Sequence, residues 1–117
     1  MNVMQEISEL GEMRGNIIQI CIGLYQIILN VSDDISISIE SNFSVIDAVG
    51  TKEVVNPPYH RSSAILMLLD KNLLGASFVE SGNLVLTFSD GFKIEIEKGD
   101  QEYESFQISK GDNFVVR

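Results

Sequence analysis

The chain contains no tryptophan, one cysteine, one histidine and two prolines, and its 8 lysines and arginines face 17 aspartates and glutamates. Each shortage excludes something. A single cysteine cannot close an internal disulfide and offers no metal-ligand spacing. Cys21 sits among Ile17, Ile18, Ile20 and Ile22, so it reads as a small buried hydrophobe, and nothing points to an oxidising compartment. A hydrolytic triad needs a base oriented by a carboxylate and set beside a nucleophile. His60 has Ser62 and Ser63 near it in sequence only; beside Pro57 and Pro58 it reads as an exposed or helix-capping residue. One histidine and one cysteine also leave no donor set for a transition metal. Gly11 and Gly15 lack the following Lys-Ser/Thr of a phosphate loop. No catalytic residues, no cofactor and no metal are expected, so the chain reads as a non-enzyme.

The shortage of bases is as informative. A net charge of −9 repels nucleic acid and anionic lipid, which both present phosphates, and speeds the approach of cationic partners. An acidic surface also serves solubility alone. No apolar run reaches the ~20 residues that a bilayer crossing needs, because Gln19, Gly23 and Gln26 interrupt the longest one. Glu6, Glu9 and Glu12 fall where a secretory leader would be apolar. The expected location is cytoplasmic.

What is present is a single domain over residues 1–117, with 44% hydrophobic and 21% charged residues, built on a duplication. The run Leu29-Asn30-Val31-Ser32-Asp33-Asp34-Ile35-Ser36-Ile37-Ser38-Ile39-Glu40 matches Leu86-Thr87-Phe88-Ser89-Asp90-Gly91-Phe92-Lys93-Ile94-Glu95-Ile96-Glu97, 57 residues on. Upstream, the same offset sets Ile17 on Leu74, Cys21 on Phe78, Ile22 on Val79, Ile27 on Leu84 and Ile28 on Val85. The repeated unit spans about 17–40 and 74–97. Each copy reads as a three-stranded meander. Ile35, Ile37 and Ile39 alternate with polar residues, as do Phe92, Ile94 and Ile96, which puts one face on a core and one in water. Asp90-Gly91 is a type I′ hairpin signal, since that turn needs positive φ; Asp33-Asp34 is a weaker form of it.

Strands are expected at 17–22, 25–31, 35–40, 76–80, 83–89, 92–97, 104–109 and 113–116. Residues 41–56 read as irregular, with a short edge strand near Lys52–Val55. Ile65, Leu68, Leu69 and Leu73 follow helical spacing after Pro57-Pro58, giving one helix over 60–72. Met4, Ile7 and Leu10 allow a turn or two of helix at the start. The fold class is mainly β (α+β): an antiparallel sheet or half-barrel of about eight strands from two meanders, with one helix between them, in one sheet or two.

Carboxylates pair up at Asp33 with Asp34, Glu95 with Glu97, and Glu102 with Glu104. They lie on turns or water-facing strand positions, which suits solvation better than the cleft chemistry of a glycosidase. From Lys93 to Glu104 the acids Glu95, Glu97, Asp100, Glu102 and Glu104 outnumber Lys93 and Lys98, with Tyr103 and Phe106 among them. If strands 92–97 and 104–109 are neighbours, an aromatic in an acidic rim makes an anchor for a basic partner. Alternatively Phe106 and Ile108 are core and the acids only keep the sheet soluble. The partner-binding candidates are Asp33, Asp34, Glu95, Glu97, Asp100, Glu102, Tyr103 and Glu104.

Three stretches resemble a family of small bacterial domains found among immunity proteins of polymorphic and contact-dependent growth inhibition toxin systems. They are Met13-Arg14-Gly15-Asn16-Ile17-Ile18; Leu74-Gly75-Ala76-Ser77 with Leu84-Val85-Leu86-Thr87-Phe88-Ser89-Asp90-Gly91; and Tyr103-Glu104-Ser105-Phe106-Gln107-Ile108. Phe106 stands where the family pattern has tryptophan, and the Pro-Gly-Gly ending of many members does not follow Val116. The resemblance implies no catalytic residue. It implies a protein that neutralises a cognate toxin by covering its active site, the toxin being a basic nuclease and an RNase in the first instance. A structural or ligand-binding module, dimerising through an exposed strand edge, is the alternative. The expected partner is a basic protein, not nucleic acid or a membrane.

Overall fold

Alternation decides the strands nearest the middle of each copy. In the computed structural model, β2 (Ile27–Val31) and β3 (Ile35–Ile39) bury Ile27, Leu29, Val31, Ile35, Ile37 and Ile39 on one face. Ile28, Asn30, Ser36 and Ser38 take the other face and stay half-exposed. β7 (Leu84–Phe88) and β8 (Lys93–Ile96) repeat the pattern with Leu84, Leu86, Phe88, Ile94 and Ile96 inside. Between them Ser89-Asp90-Gly91-Phe92 closes a type I′ turn. Asp90 has φ 62 and ψ 21, Gly91 has φ 79, and the Phe92 N–H donates to the Ser89 carbonyl at 3.4 Å. Asp34, with φ 66, takes Gly91's place in the first copy. The structure describes residues 14–32, 34–59, 64–97, 106–110 and 113–116.

The other strands are β1 (Gly15–Ile22), β4 (Phe43–Ile46), β5 (Lys52–Val55), β6 (Asn72–Phe78), β9 (Phe106–Lys110) and β10 (Asn113–Val116). All pair antiparallel in one 10-stranded sheet of order β10-β9-β3-β2-β1-β6-β7-β8-β4-β5. That order is a palindrome of two five-strand units, β1–β5 and β6–β10. Each unit keeps its meander and gives its last hairpin to the other: β4–β5 pairs onto β8, and β9–β10 pairs onto β3. The registers agree. Phe43 faces Ile96 and Val45 faces Ile94, while Phe106 faces Ile39 and Ile108 faces Ile37.

The pseudo-two-fold axis passes through the β1–β6 junction, where Asn16 faces Asn72. Ser32 Oγ accepts the Asn16 N–H at 2.9 Å, and Ser89 Oγ accepts the Asn72 N–H at 3.0 Å. The serine of each Ser-Asp turn therefore fastens the junction strand of its own copy. Ten strands at ~4.8 Å spacing would make a flat sheet roughly 43 Å wide, yet the longest dimension is 35 Å. The sheet therefore curls around its apolar face, without closing into a barrel. Both copies share one core, and the Phe78 ring of β6 lies 6.2 Å from the Phe106 ring of β9. Among the described residues no helix is long and apolar enough to cross a membrane.

The fold class is the expected one, with differences in detail. The strands are more numerous because 43–46 is a strand and Lys52–Val55 is the outer edge of a hairpin. Where one helix was expected over 60–72, the described residues hold a five-residue 3-10 helix, Ala64–Leu68, and β6 begins at Asn72, while 60–63 lie outside the described residues. Burying only Ile65 and Leu68 satisfies a three-residue repeat. Asp70 then turns left-handed (φ 70) and bonds its N–H to the Ile17 carbonyl at 2.9 Å, so the backbone is already committed to β1. Leu69, expected in the helical stripe, is exposed.

The first strands align one residue closer than the sequence offset: Ile22 faces Ile27 and Phe78 faces Leu84, so Ile17 corresponds to Leu73, both buried, and not to the exposed Leu74. The second hairpin absorbs the extra residue. Cys21 is exposed on the outer face of β1 rather than buried. The readings of residues 1–12 and of His60 lie outside the described residues.

Gly15 is the tightest point of the junction. A Cβ there would stand 2.6 Å from Ser32 Oγ, 2.9 Å from Val31 Cγ1 and 3.0 Å from the Ser32 carbonyl oxygen. Gly15→Ala is expected to destabilise the chain by about 1–3 kcal/mol, read as a lower urea midpoint at unchanged slope. An unchanged midpoint would show that the junction yields freely.

Candidate functional site

The crossover from β3 to β4 builds an acidic corner. Glu40 directly follows β3, and Ser41 and Asn42 carry the chain across to β8. There the Glu97 N–H donates to the Asn42 carbonyl at 3.0 Å, and Ser41 Oγ donates to the Glu97 carbonyl at 3.2 Å. Glu40 and Glu97 close the third strand of each copy at equivalent positions of the repeat. The reciprocal exchange thus joins the backbone of Glu97 to the two residues that follow Glu40, and both glutamates are exposed.

The β1–β2 hairpin tip reaches the same corner. Gln26 Nε2 donates to Glu40 Oε1 at 3.0 Å. The Leu24 carbonyl accepts the Tyr59 N–H at 2.9 Å, and the Tyr59 hydroxyl donates to the Ser41 carbonyl at 2.6 Å. Tyr59 is fully buried, its ring 5.8 Å from that of Phe43. It ties hairpin tip to crossover from beneath. Above it, Leu24 and Tyr25 stand 54% and 69% exposed. A tyrosine and a leucine at a held hairpin tip, beside carboxylates, have the make-up of a protein-binding anchor and its rim. Sequence reasoning passed over Leu24, Tyr25 and Glu40, placing Tyr25 inside a strand. The available signal was two large apolar residues at a tip where turn-formers are usual.

Of the expected partner-binding residues, Asp34, Glu95 and Glu97 fall within the described residues, and they stand at separate places on the sheet. β8 lies between β7 and β4, and β9 between β3 and β10. Strands 92–97 and 104–109 are therefore not neighbours, because the exchange puts them in opposite halves. Asp34 sits in the β2–β3 turn, six residues from Glu40 and so roughly 20 Å along the strand from the corner. Glu95 is half-buried on the outer face of β8, takes a 2.8 Å bond from Asn83 Nδ2 and lies across from Ser44. Glu97 alone of the described candidates belongs to the corner. Asp33, Asp100, Glu102, Tyr103 and Glu104 lie outside the described residues. Phe106 and Ile108 are core, as one of the two readings held. At the junction Lys71 Nζ pairs with Asp90 at 2.8 Å and stands 5.0 Å over the Phe92 ring, so that base serves the turn. Among the described residues no group of three or more His, Cys, Asp or Glu side chains is placed to hold a metal.

Burial, and secondarily the charge of Glu40, push the Tyr59 hydroxyl from 10.0 up to about 12. The folded chain thus keeps this proton more tightly than the unfolded one. Its contribution to stability is complete below pH 10 and is lost as pH rises through about 12. Tyr59→Phe removes the hydroxyl bond, at a cost of about 1 kcal/mol near neutrality, and should flatten this alkaline loss in urea unfolding measured above pH 10. Equal alkaline losses in both proteins would place the titration elsewhere.

A family model described as a family of unknown function (DUF6188) matches residues 10–116. No curated protein and no solved structure matches the chain. The matched span takes in every strand from β1 to β10, and the chain is a member of the DUF6188 family.

Proposed function

We propose that this chain is a non-catalytic binding domain that neutralises a cognate toxin with a basic surface, in the manner of an immunity protein, by covering the toxin's active site. The observation that carries this reading is the corner itself: Glu40 and Glu97 are exposed and joined through Ser41 and Asn42 beside exposed Leu24 and Tyr25. The net charge of −9 supports it from a distance, because a nuclease holds its phosphate substrate with bases and an acidic protein competes for the same field. The resemblance of residues 13–18, 74–77, 84–91 and 103–108 to domains of toxin systems points the same way. An RNase is the first toxin class to test. A cytoplasmic site of action fits a target that works on RNA.

Self-association through a strand edge is the second reading. β5 and β10 end the sheet and so offer edges. Lys52 and Glu53 put charge on β5, a feature that discourages edge-to-edge pairing.

Co-expression with the product of the gene immediately upstream should yield a stable complex and restore growth. In the purified complex, Glu40→Gln with Glu97→Gln should weaken binding by at least about tenfold, equal to ~1.4 kcal/mol, and reduce its salt dependence. A toxic upstream product that forms no complex would contradict the reading. Unchanged affinity of the double variant would remove the corner carboxylates from it.

A further inference from the structure

The duplication supplies its own control for what the fold requires. The β1–β2 and β6–β7 hairpins are equivalent, and each is closed by the same bond: Gly23 N–H to the Gln26 carbonyl at 2.8 Å, and Val79 N–H to the Asn83 carbonyl at 3.0 Å. Both run into equally buried strands, Ile27, Leu29 and Val31 in one copy, Leu84, Leu86 and Phe88 in the other. Their tips differ. The second copy turns on Glu80-Ser81-Gly82, the ordinary chemistry of a turn. The first turns on Leu24-Tyr25, whose side chains bury little in the fold. The scaffold makes the hairpin with a polar tip, so the apolar one answers to something outside the chain.

Resting on the reading above, we infer that Leu24 and Tyr25 are the anchor that enters an apolar recess on the basic protein partner, with Glu40 and Glu97 forming the charged rim around it. The tip is held before binding. The Tyr59 N–H fixes the Leu24 carbonyl and Gln26 is bonded to Glu40, so little order has to be imposed on association. Tyrosine suits the role, with large contact area, two rotatable bonds and a hydroxyl that accepts a partner at the recess wall. The rim selects the class of partner. Glu40 and Glu97 favour lysine and arginine around the recess and disfavour an anionic membrane. Arg14 and Lys71, the bases that directly precede β1 and β6, stand at the junction end of those strands, away from the hairpin tips.

Calorimetric titration of the upstream gene's product tests this with three proteins: the wild-type chain, Leu24→Ser/Tyr25→Ser, and Glu80→Leu/Ser81→Tyr, which puts apolar residues on the equivalent tip. The expected result is a loss of affinity of at least about thirtyfold for the first variant, the scale of a binding hot spot, with cooperative unfolding kept and the second variant within twofold of wild type. Wild-type affinity in the first variant would overturn the anchor and leave the immunity reading standing. Absence of any complex with the wild-type chain, the upstream product being toxic, would overturn that reading and the anchor with it. Should the double variant lose cooperative unfolding, Tyr25→Ser alone carries the test with the same outcomes.

Discussion

Two backbone pairs, Gly15 with Leu73 and Asn16 with Asn72, carry the sheet from one copy to the other. Almost everything else is arranged about them. The junction is short, so it is reinforced on both sides by the same device, a serine hydroxyl from the Ser-Asp turn bonded to the asparagine amide of the same copy. A side chain at Gly15 would collide with one of those serines. Short junctions alone do not hold two meanders together. The exchange of outer hairpins does that, since β4–β5 completes the second copy and β9–β10 completes the first. Each unit buries its third strand under residues supplied by the other: Phe43 and Val45 lie against Ile96 and Ile94, Phe106 and Ile108 against Ile39 and Ile37.

The same exchange creates the candidate surface. A chain that kept each hairpin beside its own meander would have no reason to cross from β3 to β8, and Glu40 and Glu97 would stay apart. Crossing joins them through Ser41 and Asn42, and Tyr59 locks the β1–β2 tip to that crossing. Duplication followed by divergence then separates what the fold needs from what it does not. The buried positions remain apolar in both copies, whereas the hairpin tips and the outer faces differ: Ser36 and Ser38 in one copy stand where Lys93 and Glu95 stand in the other.

Local features were legible in the sequence. The alternation of Ile35, Ile37 and Ile39, its echo in Phe92, Ile94 and Ile96, and the Asp90-Gly91 turn all depend on near neighbours, and the period of a strand or the φ of a turn is written in a few residues. What depended on distant pairing was not legible. Phe43-Ser44-Val45-Ile46 is too short to announce a strand, and it becomes one because β8 offers it an edge. The stripe Ile65, Leu68, Leu69 and Leu73 has helical spacing, but β1 claims the backbone at Asp70, just past the 3-10 helix Ala64–Leu68. The acidic strip rested on β8 lying beside β9, and the hairpin exchange separates them. Of the site residues, Glu97 was legible as one of a run of acids. Leu24 and Tyr25 were not, because an apolar pair next to Ile22 and Ile27 looks like more strand until the turn is placed.

Native-state amide hydrogen exchange tests the reciprocal exchange most directly. If each copy is completed by the other's hairpin, the amides of β3, β4, β8 and β9 open together in one cooperative event, with the same free energy and the same denaturant dependence. Separate opening of β1, β2 and β3 with one free energy, and of β6, β7 and β8 with another, would show two independent meanders and contradict the account.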